Sequence, residues 1–174
     1  LPPLRLVLVR LPTPAAVARD APEFHFTWKQ AFPLPGVVVL MGDRGSGKTA
    51  TAFWIMDRWH TASCGKYAGA VFKAPRPLRK LLPEWVSAPQ EIAGLPENAV
   101  VVIDEGQLHA NSRRAASSGN LEMANLVALS RQRHQLIIVN SHQSRKLDVA
   151  LVMDASRIVW KRPTQGHVLF ERKE

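Results

Sequence analysis

The sequence predicts an α/β fold, a three-layer sandwich in which helices cover both faces of a mostly parallel central sheet. Three observations predict it. Four short runs, Val37 to Met41, Tyr67 to Phe72, Val100 to Ile103 and Leu136 to Val139, lack the polar alternation of a half-exposed strand. Stretches with helical spacing of apolar residues stand between them. The chain has 174 residues, 46% of them hydrophobic and 21% charged, which suits one folded domain burying about two-thirds of its unfolded surface.

The elements follow in order. Leu4 to Val9 alternates and reads as an edge strand, and Leu11 to Pro22 is a proline-rich loop or arm. Val37 to Met41 is bounded by Pro35-Gly36 and Gly42. From Thr49 to His60, Ala52, Phe53, Met56 and Trp59 recur at helical spacing. After the strand near Tyr67 to Phe72, prolines punctuate Lys73 to Pro96. Leu121, Ala124, Leu126, Ala128 and Leu129 mark another helix, with Ser118 or Asn120 available as its cap. Arg157 to Trp160 and His167 to Phe170 flank Pro163 to Gly166 and suggest a terminal β-hairpin. A single domain results: an N-terminal strand and arm over 1–35, a core over 36–160, and a tail over 161–174. There is no internal repeat, and only Ser112 to Gly119 approaches low complexity.

Composition excludes several classes. One cysteine, Cys64, rules out a disulfide framework and a multi-cysteine zinc site, fits a reducing compartment, and reads as a small hydrophobe. No apolar run nears the roughly 20 residues needed to cross a bilayer. Leu1 to Arg10 lacks the small-residue cleavage site of a signal peptide. These features predict a soluble, cytoplasmic-type domain. Lys plus Arg number 23 against 14 Asp plus Glu, a net charge of +9. From Arg113 onward there are 11 basic and 5 acidic residues, so that third alone carries +6. Such an excess attracts polyanions, nucleic acid foremost, although a basic solvated surface is the simpler account of charge by itself.

One motif is specific. Gly42-Asp43-Arg44-Gly45-Ser46-Gly47-Lys48-Thr49 fits G-x-x-x-x-G-K-[ST] between an expected strand and an expected helix. Its glycines let successive N–H groups turn onto phosphate oxygens, and the helix running on through Ala50 adds its positive dipole end. Lys48 would neutralise the β- and γ-phosphates of ATP, and the Thr49 hydroxyl would ligate Mg2+. A second element supports it: Val100-Val101-Val102-Ile103 ends in Asp104-Glu105. Asp104 would hold Mg2+ through water, and Glu105 would orient or deprotonate the attacking water. The last buried run leads into Asn140-Ser141-His142-Gln143, where Gln143 and Asn140 are candidates to sense the γ-phosphate or position water. Arg131 and Arg133 end a helix just upstream, a placement that the helix dipole alone can explain.

The set G-D-R-G-S-G-K-T, V-V-V-I-D-E, S-R-Q-R-H and L-I-I-V-N-S-H-Q, with L-D-V-A-L-V-M-D-A-S-R-I-V after it, resembles the FtsK–HerA superfamily of DNA-pumping P-loop ATPases. It looks most like the small genome-packaging ATPases of tailless, membrane-containing viruses and the Zot-like proteins of filamentous phages. The likeness spans roughly Val37 to Val159. It implies a RecA/FtsK-like P-loop NTPase fold and an ATP-hydrolysing motor that packages double-stranded DNA into a capsid. It also implies a homo-oligomeric ring, hexamer or pentamer, docked on a capsid or membrane vertex protein in the host cytoplasm or the virion. By the resemblance Gln143 is the sensor and Arg131 or Arg133 the arginine finger reaching a neighbour's nucleotide. Asn-Ser-His stands ahead of Gln143 where the family usually has one threonine, which leaves Asn140 and Ser141 as alternative sensors.

Physical reasoning points to a ring as well. A 19.3 kDa P-loop domain has no obvious second lobe to close over its phosphates, and a neighbour's arginine supplies the missing charge. The loop Gln107 to Asn120 carries His109, Arg113 and Arg114 among small residues and could line the pore and touch DNA phosphates, or be a flexible basic surface loop. A Zot-like assembly ATPase is the nearest alternative, though those usually carry a membrane span. A P-loop small-molecule kinase and a slow nucleotide-switched binding module are further ones. Glu105 beside Asp104 suits water activation better than acceptor recognition. The five tryptophans (Trp28, Trp54, Trp59, Trp85 and Trp160) read mainly as core or subunit-contact aromatics, with Trp28 or Phe32 conceivable against adenine. His60 and Cys64 lack further ligands for a metal site.

Overall fold

The computed structural model describes residues 27–104, 118–141 and 153–162. Its centre is a sheet of six parallel strands in the order β3-β2-β4-β5-β1-β6. The strands are β1 (Gly36–Met41), β2 (Ala68–Val71), β3 (Val86–Ser87), β4 (Ala99–Asp104), β5 (Leu136–Ser141) and β6 (Arg157–Trp160). The helices are α1 (Trp28–Ala31), α2 (Lys48–Ala62), α3 (Arg76–Arg79) and α4 (Ser118–Gln132). Every residue of β1 and β5 is buried, as the unbroken apolar runs require of strands with helices on both faces.

Side-chain alternation divides the core into two layers. Val38, Leu40, Val100, Val102, Leu136 and Ile138 face α2, where Ala52, Ile55 and Met56 close over them. Val37, Val39, Val101, Ile103, Ile137 and Val139 face α4 and its Leu126 and Val127. Each fully buried aliphatic side chain contributes about 1.5–3 kcal/mol relative to leaving it in water. Phe32 is completely buried in the α2 layer, so it cannot lie on an adenine. Trp59 donates its indole N–H to the Phe32 carbonyl at 3.1 Å and meets Trp28 edge-on at 5.0 Å. Trp85 stacks on His60 at 4.0 Å. Four of the tryptophans are thus partly buried packing residues, while Trp160 is 46% exposed.

Several sequence expectations change. Ser118 and Asn120 lie inside the first turn of α4 rather than ahead of it as caps. The proline-punctuated stretch contains β3, a two-residue strand that pairs Val86 with Gly69. Cys64 is exposed in the turn after α2 and not packed as a small hydrophobe. Arg157 to Trp160 forms β6, parallel to β1; the hairpin's other arm, His167 to Phe170, lies outside the described residues, as do Leu4 to Val9 and the proline-rich arm. Among the described residues no helix is long and apolar enough to cross a membrane.

Gly69 shows how closely the α2 layer is packed. A Cβ there would lie 2.6 Å from Met56 Sδ, 2.8 Å from the Trp85 ring and 2.8 Å from Val86 Cγ2. The sulfur can swing aside, but the ring and the branched valine are fixed by β3. Gly69→Ala is therefore expected to destabilise the domain by about 1–3 kcal/mol. A denaturation midpoint equal to wild type would show that β3 does not press on β2.

Candidate nucleotide site

The six strands are parallel, so their C-terminal ends share one edge of the sheet, and the glycine loop joins that edge to α2. Gly42 has φ +147° and a Cβ there would come 2.2 Å from the Lys161 carbonyl oxygen, so no larger residue fits. Gly47 has φ +80° in the left-handed region and forms the N-cap of α2 without any side-chain cap. No side-chain cap therefore competes for the amide donors of the first turn of α2. Lys48 is 4% exposed, and its Nζ donates to the carbonyls of Gly42 and Asp43, each at 2.7 Å. The lysine thus arches back over the loop and holds its amino group at the mouth. Ser46 is buried, with its Oγ lacking a hydrogen-bond partner among the described residues. Asp43, Arg44, Gly45, Thr49 and Ala50 are exposed along the same loop and first turn.

β5 lies between β1 and β4, with Asp104 in register with Asn140 and Leu40 with Asn140. Alternation from Val100 and Val102 turns Asp104 toward the α2 face, and alternation from Leu136 and Ile138 turns Asn140 the same way. Both polar tips therefore lie on the face from which α2 and its loop rise. Ser141 has the opposite parity and projects toward α4. Asn140 is 2% exposed, yet among the described residues neither its Oδ1 nor its Nδ2 has a hydrogen-bond partner. A buried amide left unsatisfied on both atoms costs about 1–3 kcal/mol per group, so the position calls for a partner beyond the described residues.

The residues present fit a magnesium nucleotide. The Thr49 hydroxyl and the Asp104 carboxylate are hard oxygen donors of the kind Mg2+ prefers. Phosphate oxygens and water would complete the coordination. Glu105, His109, Arg113, Arg114, His142 and Gln143 lie outside the described residues.

Arg131 and Arg133 sit elsewhere. They precede β5, at the edge of the sheet opposite the glycine loop, and a six-residue strand of about 20 Å separates the two edges. Arg133 donates from Nη1 to the carbonyls of Ile92 at 3.2 Å and Leu95 at 3.5 Å, pinning a short 3-10 turn. Arg131 is exposed. Neither guanidinium reaches the loop of its own chain.

Sequence reasoning missed Lys161. Its backbone N–H donates to the Met41 carbonyl at 2.7 Å, and its Nζ donates to Thr51 Oγ1 at 2.5 Å across Gly47. Burial lowers the Lys161 pKa below the ordinary lysine range. No motif flags it, because only the pairing of β6 with β1 brings it to the loop.

No protein-family model matches the chain, and no curated protein matches it by sequence. Solved structures do. A KaiC-like protein from the archaeon Pyrococcus horikoshii OT3 superposes with TM-score 0.54 at 16% identity, over 76% of this chain and 76% of that one. The genome packaging NTPase B204 of Sulfolobus turreted icosahedral virus 2, in complex with AMPPCP, gives 0.51 at 13% identity, over 80% and 81%. C. elegans PCH-2 gives 0.47 at 18% identity over 78% of this chain, which spans only 37% of that protein's length. The chain has the α/β fold of the P-loop NTPases, with the glycine loop running from β1 into α2.

Proposed function

We propose that the chain binds ATP with Mg2+ on the loop Gly42 to Ala50 and hydrolyses it, and that a ring of such chains drives double-stranded DNA into a viral capsid. The observation that carries the hydrolytic part is the convergence of Lys48, Asp104 and the unsatisfied Asn140 at one end of the α2 face. In this reading the loop amides and Lys48 hold the phosphates, and Thr49 and Asp104 hold the metal. Asn140 and Gln143 position the attacking water or sense the γ-phosphate, and Glu105 takes the water's proton. Mg2+, when bound, supplies charge neutralisation at the phosphates.

Ring assembly belongs to the same reading. Because Arg131 and Arg133 lie at the far edge of their own sheet, a role in hydrolysis is restricted to a neighbour's nucleotide, with Arg131 the exposed one of the pair. DNA as cargo is supported by the net charge of +9 and by the motif resemblance, with Arg113, Arg114 and His109 as the phosphate-contacting residues. A capsid or membrane vertex protein is the docking partner in this reading, and the host cytoplasm or the virion is its location.

Phosphate release with and without duplex DNA tests the proposal. Turnover should be DNA-stimulated and should rise per subunit with protein concentration. Arg113→Ala with Arg114→Ala is expected to lose the DNA stimulation while basal hydrolysis survives. Equal loss of both activities would remove the DNA assignment from that loop. Turnover that appears only with a small acceptor would make the protein a kinase.

A further inference from the structure

Lys161 holds a cation against the loop where the glycine-lysine motif provides none. β6 pairs with β1 along Val38↔Arg157 to Met41↔Trp160, so the next residue is registered onto the start of the loop. From there the side chain crosses Gly47, its Nζ 3.7 Å from where a Cβ of that glycine would lie, and ends on Thr51 Oγ1. Thr51 Oγ1 donates in turn to the Gly47 carbonyl at 3.0 Å, so Lys161 is seated over the first turn of α2. We propose that Lys161 is a second phosphate-binding lysine of this site, contacting the α-phosphate of the bound nucleotide.

The sheet order sets which phosphate it meets. Asp104 and Asn140 stand on β4 and β5, on one side of β1, and Lys161 follows β6 on the other. A triphosphate on the loop with its terminal phosphate toward Asp104 has its nucleoside end toward β6. Lys48 serves the β- and γ-phosphates from the mouth of the loop, which leaves Lys161 the α-phosphate. Among the described residues no carboxylate forms an ion pair with the Lys161 ammonium. Burial lowers its pKa, and an arriving phosphate would raise it again. Thr51 holds the amino group in place until then.

The inference rests on the nucleotide reading of the loop, and its test separates the two. An α-phosphate contact is common to ADP and ATP and changes little during cleavage of the terminal bond, so it acts as uniform binding. Lys161→Met, which keeps length and removes charge, is expected to weaken ADP and a non-hydrolysable ATP analogue alike, by about tenfold. It should leave kcat at saturating ATP within about twofold, and Lys161→Arg should recover most of the affinity, which a merely structural lysine would not require. Unchanged ADP affinity in Lys161→Met, or weakening confined to the triphosphate, overturns the proposal while wild-type turnover stands. Failure of the wild-type chain to bind either nucleotide overturns the reading of the loop itself.

Discussion

Lys48→Ala is expected to reduce ATP turnover by about 10³-fold or more, with the fold intact. The amino group sits at the loop mouth, 4% exposed and hydrogen-bonded to the Gly42 and Asp43 carbonyls. Phosphoryl transfer offers the protein little covalent chemistry, so most of the acceleration comes from positioning and from charge on the β- and γ-phosphates. Losing a preorganised cation in a water-poor site removes both contributions, because the loop also loses the tie that closes it. Folding should respond far less. The lost hydrogen bonds are offset by no longer burying an ammonium, so the unfolding free energy should stay within about 1–2 kcal/mol. Phosphate release and thermal unfolding measured on the same preparation check both halves. Turnover at the wild-type rate would remove the catalytic assignment of the whole loop.

The parts of this fold that were legible in the sequence are those set by local rules. β1, β4 and β5 are unbroken aliphatic runs, and a strand buried on both faces can be little else. The loop could be read because phosphate binding needs glycines, a lysine and a helix start at fixed spacing, and the parallel class followed from helices between apolar strands. What stayed hidden depends on the third dimension. β3 is two residues between prolines and has no periodicity to show; it forms because Gly69 leaves room for Val86 and Trp85. Phe32 precedes the loop in sequence, yet the α2 layer swallows it whole. Cys64 has the composition of a core residue, but the turn that ends α2 carries it to the surface. Lys161 is one basic residue among 23 until β6 is placed beside β1. The sequence named Gln143 and Asn140 as sensor candidates and left Ser141 as a further alternative; strand parity separates Asn140 from Ser141.

Asn140 carries the second large expected effect, and here stability and activity should move in opposite directions. The side chain is sealed between β1 and β4, in register with Leu40 and Asp104, with neither amide atom bonded among the described residues. In a purely structural position such a group is a defect, and a leucine of similar size should remove it. Asn140→Leu is therefore expected to stabilise the domain by about 1–2 kcal/mol, by deleting unsatisfied polar atoms and adding apolar contact with the layer under α2. If the amide is held ready for the attacking water or the γ-phosphate, the same change should lower kcat by about 10²-fold and leave ADP affinity nearly unchanged. A structural defect predicts the stabilisation alone, with activity retained. A structural support predicts loss of both. Stabilisation together with a fall in kcat is the pattern of strain kept for function, because nothing in the packing of β5 otherwise gains from an amide at that position. Thermal unfolding and steady-state kinetics on this one variant decide among the three, and retained kcat would move the sensor role away from Asn140.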